Sequence, residues 1–452
     1  MKSQNKKFWS LLLKLAVPIA LQHLLINSLT FVDTLFMSQL GDIALSASGM
    51  ASQCSWLLSM ATFGICSGAA LFVSQFWGAK KYDDIEKAYA IATFSALFVS
   101  VLFFLASYIF PEKIMGLFNK NPEVIKCGSR YLRIVAFSYP ATVLSSVMCT
   151  VLRSTEKVRL PMFVSLISTS FNIVLDYCLV FGALGFSKMG VSGAALATAV
   201  SAWLGLFVLL IISNSHKNII IMPIAKFFSF SKKDFIMFMK KASPVIFNEM
   251  LWGFGMVVNN AIYSNTGYEN YAACTILRTI ESLCLILFIG LNDGGAVIIG
   301  KTVGEGKSDT AYNYAKKISI SVPILSIFIG GFIILFRSYV IRVFNMSGNI
   351  TNYTLSVANI LVIIYGIEIT LRNIPYTMVC AVFRSGGDSV TGAKYDLICL
   401  WLLAIPVTYI IAFHTSLPFY LVFLTEYLVE DIPKAILCIK HFISKKWIKP
   451  VV

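Results

Sequence analysis

Charged side chains are scarce in this chain. Asp, Glu, Lys and Arg make up 13% of its 452 residues, against about 25% in an ordinary soluble domain. Histidine is rarer still: His23, His216, His414 and His441 are the whole complement and they do not cluster, which excludes a histidine-built metal centre. The ten cysteines offer no metal spacing either. They fall mostly inside apolar stretches and read as reduced, small hydrophobes. No G-x-x-x-x-G-K-S/T loop is present, which argues against direct ATP coupling. No grouped His, acid or metal motif supports a polytopic membrane enzyme, the reading from another class. Apolar residues do not alternate with period two, so membrane-barrel strands are excluded as well.

What fills the chain instead is apolar surface: 57% hydrophobic residues and a mean hydropathy of +0.78. Only helices or closed barrels span lipid, and the apolar runs are of helix-spanning length. The expectation is an all-α polytopic membrane protein with twelve transmembrane helices. Their approximate limits are 10–37, 45–75, 88–110, 128–150, 159–182, 190–213, 238–264, 270–299, 314–336, 353–382, 392–413 and 417–440. Residues 1–30 lack a signal-peptide cleavage pattern, so the first run reads as a retained helix. The net charge of +15 does not point to nucleic acid, because Lys and Arg concentrate in alternate short loops. Examples are Lys80, Lys81 and Lys87, then Arg153, Lys157 and Arg159, then Lys301 and Lys307, and, near the C-terminus, Arg384, Lys394, Lys434 and Lys440. This bias predicts a multi-pass protein of the plasma (inner) membrane with both termini in the cytoplasm.

A shift of 226 residues superposes the two halves without a gap over a long stretch. Pro18 falls on Pro244, Gln22 on Asn248, Gly41 on Gly267, Gly68 on Gly294 and Asp83 on Asp309. Each half holds six predicted spans, an even number, so the halves share one orientation, as parallel repeats do in secondary transporters. The expected organisation is an N-terminal six-helix lobe at 1–213, a cytoplasmic linker at 214–237 and a C-terminal six-helix lobe at 238–452. The basic stretch 214–241 reads as a solvated loop.

Against this apolar background, the intramembrane ionisable groups stand out, because each costs free energy in lipid, roughly 2.5–3.5 kcal/mol on insertion scales. Asp33 sits in the first span within "FVDTLFM", and "FNIVLDY" puts Asn172 and Asp176 on one face of the fifth. Thr198 follows the small-residue opening of the sixth. Helical rise places Asp33, Asp176 and Thr198 roughly 7–12 Å inward from the outer ends of their helices. Two carboxylates, an amide and a hydroxyl at one depth form an oxygen-only set. It suits a hard cation such as Na⁺, or a proton shared between adjacent acids. The repeat puts Asn259 at the position of Asp33, so this set is not expected twice. The second half carries Glu249, Arg278, Glu281, Glu368 and Arg372. Their spacings, Arg278 to Glu281 and Glu368 to Arg372, fit self-neutralising pairs within one helix. They fit equally a polar wall for a charged substrate. Pro18, in the first span, is a candidate helix-bending point.

"VPIALQHLLINSLTFVDTLFMSQLG", "LRSTEKVRLPM", "FNIVLDYCLVFGALGFSKMGVSGAALAT" and the "GAKK" turn together resemble the landmarks of the multidrug and toxic compound extrusion (MATE) family, over the whole chain. The resemblance implies two six-helix lobes and a secondary active antiporter, not an enzyme. Such a protein exports organic, drug-like or amphipathic compounds by alternating access. It needs no cofactor beyond a coupling ion, Na⁺ or H⁺, and acts on small molecules within membrane lipid, with no nucleic acid, as an expected monomer. It implies that Asp33, Asn172, Asp176 and Thr198 are the cation site, that Glu249 is the family's seventh-helix acid and that Glu368 is similar to its tenth-helix acid. Arg278 and Arg372 depart from a drug-cation exporter's pattern. They leave a lipid-linked glycan flippase of the same superfamily as the alternative.

Overall fold

A computed structural model describes residues 2–344 and 351–451, and no strand occurs among them. Twelve long helical segments account for most of the chain: α1 (Lys2–Gln39), α2 (Asp42–Gly78), α3 (Tyr82–Ile109), α4 (Pro122–Ser154), α5 (Arg159–Phe181), α6 (Val191–Ser215), α7 (Lys232–Asn265), α8 (Tyr268–Gly304), α9 (Ser308–Phe344), α10 (Asn352–Gly386), α11 (Ser389–His414) and α12 (Phe419–Ile443). The twelve-helix expectation is met. Ten of these are apolar enough to cross a membrane on length and composition alone. The other two are α7, diluted by Asn248, Glu249, Asn259 and Asn260, and α12, which carries Glu426, Glu430, Asp431 and Lys434. Within α11 the segment Ile398–Ala404 is π-helical. It ends two residues before Pro406, whose missing N–H leaves the carbonyl of residue 402 without its usual donor, and a wider turn relieves the clash.

The described chain separates into two compact units, Leu21–Ile246 and Met1–Ala20 with Phe247–Val452. The sequence expectation had boundaries at 213 and 238. The observed ones fall inside α1 and α7, two residues after Pro18 and two residues after Pro244. The reason is a pair of repeat-equivalent seats. In the first unit, an added Cβ on Gly64 of α2 would lie 2.5 Å from the Ile246 Cα, and one on Gly68 would lie 2.5 Å from the Ala242 Cβ. In the second unit, Gly290 of α8 takes Ala16 and Ala20 of α1 at 2.7 Å, and Gly294 takes Ala16 at 3.2 Å. By the 226-residue shift, Gly64 against Ile246 maps onto Gly290 against Ala20, and Gly68 against Ala242 onto Gly294 against Ala16. The first half of each repeat's opening helix is therefore packed on the second helix of the opposite repeat.

The linker is also more ordered than a solvated loop. Lys226 forms ion pairs with Glu86 (2.5 Å) and Asp83 (3.9 Å) of α3, and Phe227, Phe228 and Phe230 pack on Tyr89 and Phe94. The linker ends in a reciprocal cap. Ser231 N–H donates to Asp234 Oδ2 at 2.8 Å, and Asp234 N–H donates to Ser231 Oγ at 3.2 Å. The Ser231 donors hold the Asp234 carboxyl below the usual range.

Candidate functional site

In the first unit, α5 and α6 approach closely because Gly193 faces the Leu179 carbonyl, where a Cβ would lie 2.7 Å from the oxygen. Met37 of α1, Val180 of α5 and Ala194 of α6 form one buried cluster, with Phe36, Tyr131 and Phe181 packed around it. That packing brings α1 onto α5. Asp33 and Asp176 lie close enough to interact directly. Asp176 is 1% exposed and Asn172, one turn earlier on the same helix, is also 1% exposed. No described donor reaches either oxygen of Asp176, nor Asp33 Oδ1, nor Asn172 Oδ1. No Lys, Arg or His nitrogen among the described residues pairs with either acid. Thr198 donates its hydroxyl to the Ala194 carbonyl at 3.0 Å, which leaves its lone pairs available to accept. The set is therefore rich in buried oxygen acceptors and has no positive charge of its own. Tyr131 of α4 lies near both carboxyls. It was missed in the sequence because it lies inside the predicted span 128–150, where nothing in its neighbours marks one tyrosine as facing the acids.

In the second unit the expected acids and bases are present but partnered differently. Arg372 does not pair with Glu368 one turn away. It bonds Glu281 Oε1 of α8 at 2.5 Å and Tyr427 Oη of α12 at 3.3 Å. Glu281 thereby leaves Arg278, which has no carboxylate within ion-pair distance among the described residues. Helical spacing permits the two i, i+3/i+4 pairs, but a partner on a facing helix takes the better geometry. Glu368, 4% exposed, has neither oxygen hydrogen-bonded and lies against Asp431. Glu249 is bonded by Arg384 at 2.6 Å. Lys434 holds Glu430 (2.7 Å), Asp396 (3.3 Å) and Asp431 (3.7 Å). Arg384 and Lys434, read in the sequence as loop cations, are thus buried ion-pair members. The E-D-x-x-K spacing 430–434 was the visible signal for one of them.

The family model MatE matches residues 18–178 and 244–410, two stretches whose starts are 226 residues apart. The chain belongs to the MatE family. Members of this family are transporters rather than enzymes, and the resemblance read from the sequence holds. Among relatives, the chain is similar to the probable multidrug resistance protein NorM of Thermotoga maritima, with 23% identity over 98% of this chain and 93% of that protein. It is also similar to the probable multidrug resistance protein YoeA of Bacillus subtilis, with 22% identity over 92% and 89%. Among solved structures, it resembles a MATE transporter in a bent conformation, with a TM-score of 0.87, 16% identity and 97% and 96% coverage. A transporter of Pyrococcus furiosus, described as having a binding pocket of reversed polarity, matches with a TM-score of 0.85, 17% identity and 96% of each chain. The chain is a multi-pass membrane protein with the fold of these transporters.

Proposed function

We propose that this MatE-family protein exports organic, amphipathic or drug-like compounds across the plasma membrane by ion-driven antiport, with both termini cytoplasmic. The carrying observation is the Asp33–Asp176 pair, with Asp176 buried and Asp33 half-buried, and no positive partner among the described residues. Two ionised carboxylates in a low-dielectric site repel, so the pair requires a proton or a cation. An oxygen-only set of two carboxylates, the Asn172 carbonyl and the Thr198 hydroxyl fits a hard cation. The unsatisfied oxygens fit a proton equally, so Na⁺ and H⁺ both remain as coupling ions. Ion occupancy neutralises the pair and favours the approach of α1 to α5. Release frees α1, and Pro18 supplies the bending point. The ion shifts the equilibrium only by its differential affinity for the two states. Named relatives are multidrug resistance proteins, which supports the substrate class. The second reading, a flippase for anionic lipid-linked glycans, is favoured by Arg278, whose guanidinium lacks a carboxylate partner among the described residues.

The test is dye efflux from liposomes under separate Na⁺ and H⁺ gradients. Wild type should respond to one gradient, and Asp33→Asn should fall to the leak rate while still inserting and folding. Full gradient-driven efflux by Asp33→Asn sinks the proposed coupling site. No efflux of any amphiphile by wild type, under either gradient, turns the assignment toward the flippase.

A further inference from the structure

The ion pairs of the second unit leave Glu426 without an answer. Lys434 serves Asp396, Glu430 and Asp431, Arg384 serves Glu249, and Arg372 serves Glu281. Glu426 lies one turn before Glu430 on α12 and is 7% exposed. Among the described residues no Lys, Arg or His nitrogen is within ion-pair distance of it. Its one bonded partner is an amide: Asn259 Nδ2 donates to Glu426 Oε1 at 2.5 Å. Asn259 is 0% exposed, and its own carbonyl, Oδ1, has no donor. Tyr263, one turn further along α7, packs against Phe419 and Phe423, which precede Glu426 on α12. The groove is apolar on that side.

An ionised Glu426 makes this arrangement poor in two ways. A buried negative charge is uncompensated, and a buried amide carbonyl is unsatisfied. The charged and titratable groups around it do not help. Glu430, Asp431 and Tyr427 are on its own helix. Glu368 and Arg372 of α10 are engaged with Asp431 and Tyr427. Asp396 and Cys399 of α11 adjoin Lys434, which is itself committed to three acids. One hydrogen removes both faults. A protonated Glu426 is neutral, its O–H supplies the donor that Asn259 Oδ1 lacks, and the amide N–H keeps its bond to the other carboxyl oxygen.

We propose that Glu426 and Asn259 form a second proton-binding site, in which the amide of α7 holds a proton on the carboxyl of α12. Asn259 is the repeat equivalent of Asp33. The second unit thus uses the position differently: an amide stands on the first helix of the repeat, and the acid comes from the last. The existence of the site is independent of the coupling reading above; its use in transport rests on that reading.

Infrared spectroscopy of the reconstituted protein near neutral pH tests it. Wild type minus Glu426→Gln should show the carbonyl stretch of one protonated carboxyl, which moves on exchange into D₂O. Asn259→Leu should move that band without abolishing it, because the acceptor of its hydrogen bond is gone. Gln at 426 can donate to Asn259 Oδ1 and accept from Nδ2, so Glu426→Gln should fold. Should it fail to fold, wild type minus Asn259→Leu still reads the same band. A difference spectrum that shows a carboxylate instead overturns the proposal. In proton-driven efflux, Glu426→Gln should move one proton fewer per substrate; an unchanged count overturns its part in transport. The readings separate cleanly. With Asp33→Asn and Asp176→Asn combined, the Glu426 band should persist. Its presence alongside full efflux would condemn the Asp33 site alone.

Discussion

Replacing Arg372 by methionine asks whether the cation of α10 is a strut or part of a substrate wall. Its guanidinium bonds Glu281 and the Tyr427 hydroxyl and lies over the Tyr427 ring, 5.3 Å from the centroid. Glu281 is 8% exposed. Arg372→Met leaves that carboxylate buried with no described partner, and breaking a buried pair from one side costs about 3–5 kcal/mol. Arg372→Met combined with Glu281→Met removes both charges. A hydrophobic replacement of a whole buried pair is neutral, or stabilising by about 1–4 kcal/mol. The Tyr427 bond is lost in both variants and cancels in the comparison. The single variant should therefore be less stable than the double by about 3 kcal/mol or more, read from unfolding in mixed micelles by titration with a denaturing detergent. A double variant as unstable as the single refutes the strut. If the double variant is stable but no longer transports, the pair contacts substrate as well.

Two further outcomes follow from the packing. Gly290→Val puts branched carbon against the Ala16 carbonyl and the Ala20 Cβ, both 2.7 Å from the added Cβ position. It should lower stability by about 1–3 kcal/mol, and its repeat equivalent Gly64→Val should do the same, whereas Gly49→Val, at an exposed position of α2 with open space around the added Cβ, should be tolerated better than either. At the C-terminus, Trp447 is 0% exposed, the Lys449 N–H donates to the Gly386 carbonyl at 2.7 Å, and Gly387 has a φ of +97°. Asp388 receives Lys449 (2.8 Å), His441 (2.9 Å) and Thr391 (2.9 Å). Burial alone would raise the Asp388 carboxyl, but these donors hold it below the usual carboxylate range. A lowered acid stabilises the fold above its ordinary value and loses that contribution as pH falls through the folded one. Protease cleavage after Lys446 should therefore stay slow at neutral pH and speed up only in strongly acidic buffer. Trp447→Ala, which costs about 3–5 kcal/mol of burial, should expose the tail at any pH; equal cleavage rates in wild type and variant would disprove the clamp.

The helical class, the number of spans and the repeat were legible because lipid imposes them. Twenty apolar residues are needed per span, and duplicated halves keep their prolines and glycines in phase. The grouping of Asp33 with Asp176 and Asn172 was legible for a related reason: an acid in an apolar run is costly to leave facing lipid, so it turns toward other polar groups. Partner choice in the second unit was not. Arg372 and Glu281 are 91 residues apart, and nothing in local spacing ranks that pair above Glu368–Arg372. The i, i+4 rule states that two side chains on one helix are able to meet. It does not state that a facing helix offers nothing better, and here α8 does.

The glycine seats carry the same lesson further. The match of Gly68 with Gly294 was visible as a repeat, yet its use was hidden. A small residue in a span fits a tight helix crossing, and also a kink or mere tolerance. What decides among them is the residue facing it, and that residue lies in the other half of the chain: Ala242 for Gly68, Ala16 for Gly294. The exchange also explains why both unit boundaries fall just past Pro18 and Pro244. Each opening helix has its first half seated on the opposite repeat and its second half packed within its own, so a bend costs least where a proline has already removed a backbone hydrogen bond. Under the proposed ion coupling, the prolines act through those seats: one half of the helix is held by the glycines, and the half carrying Asp33 responds to the ion.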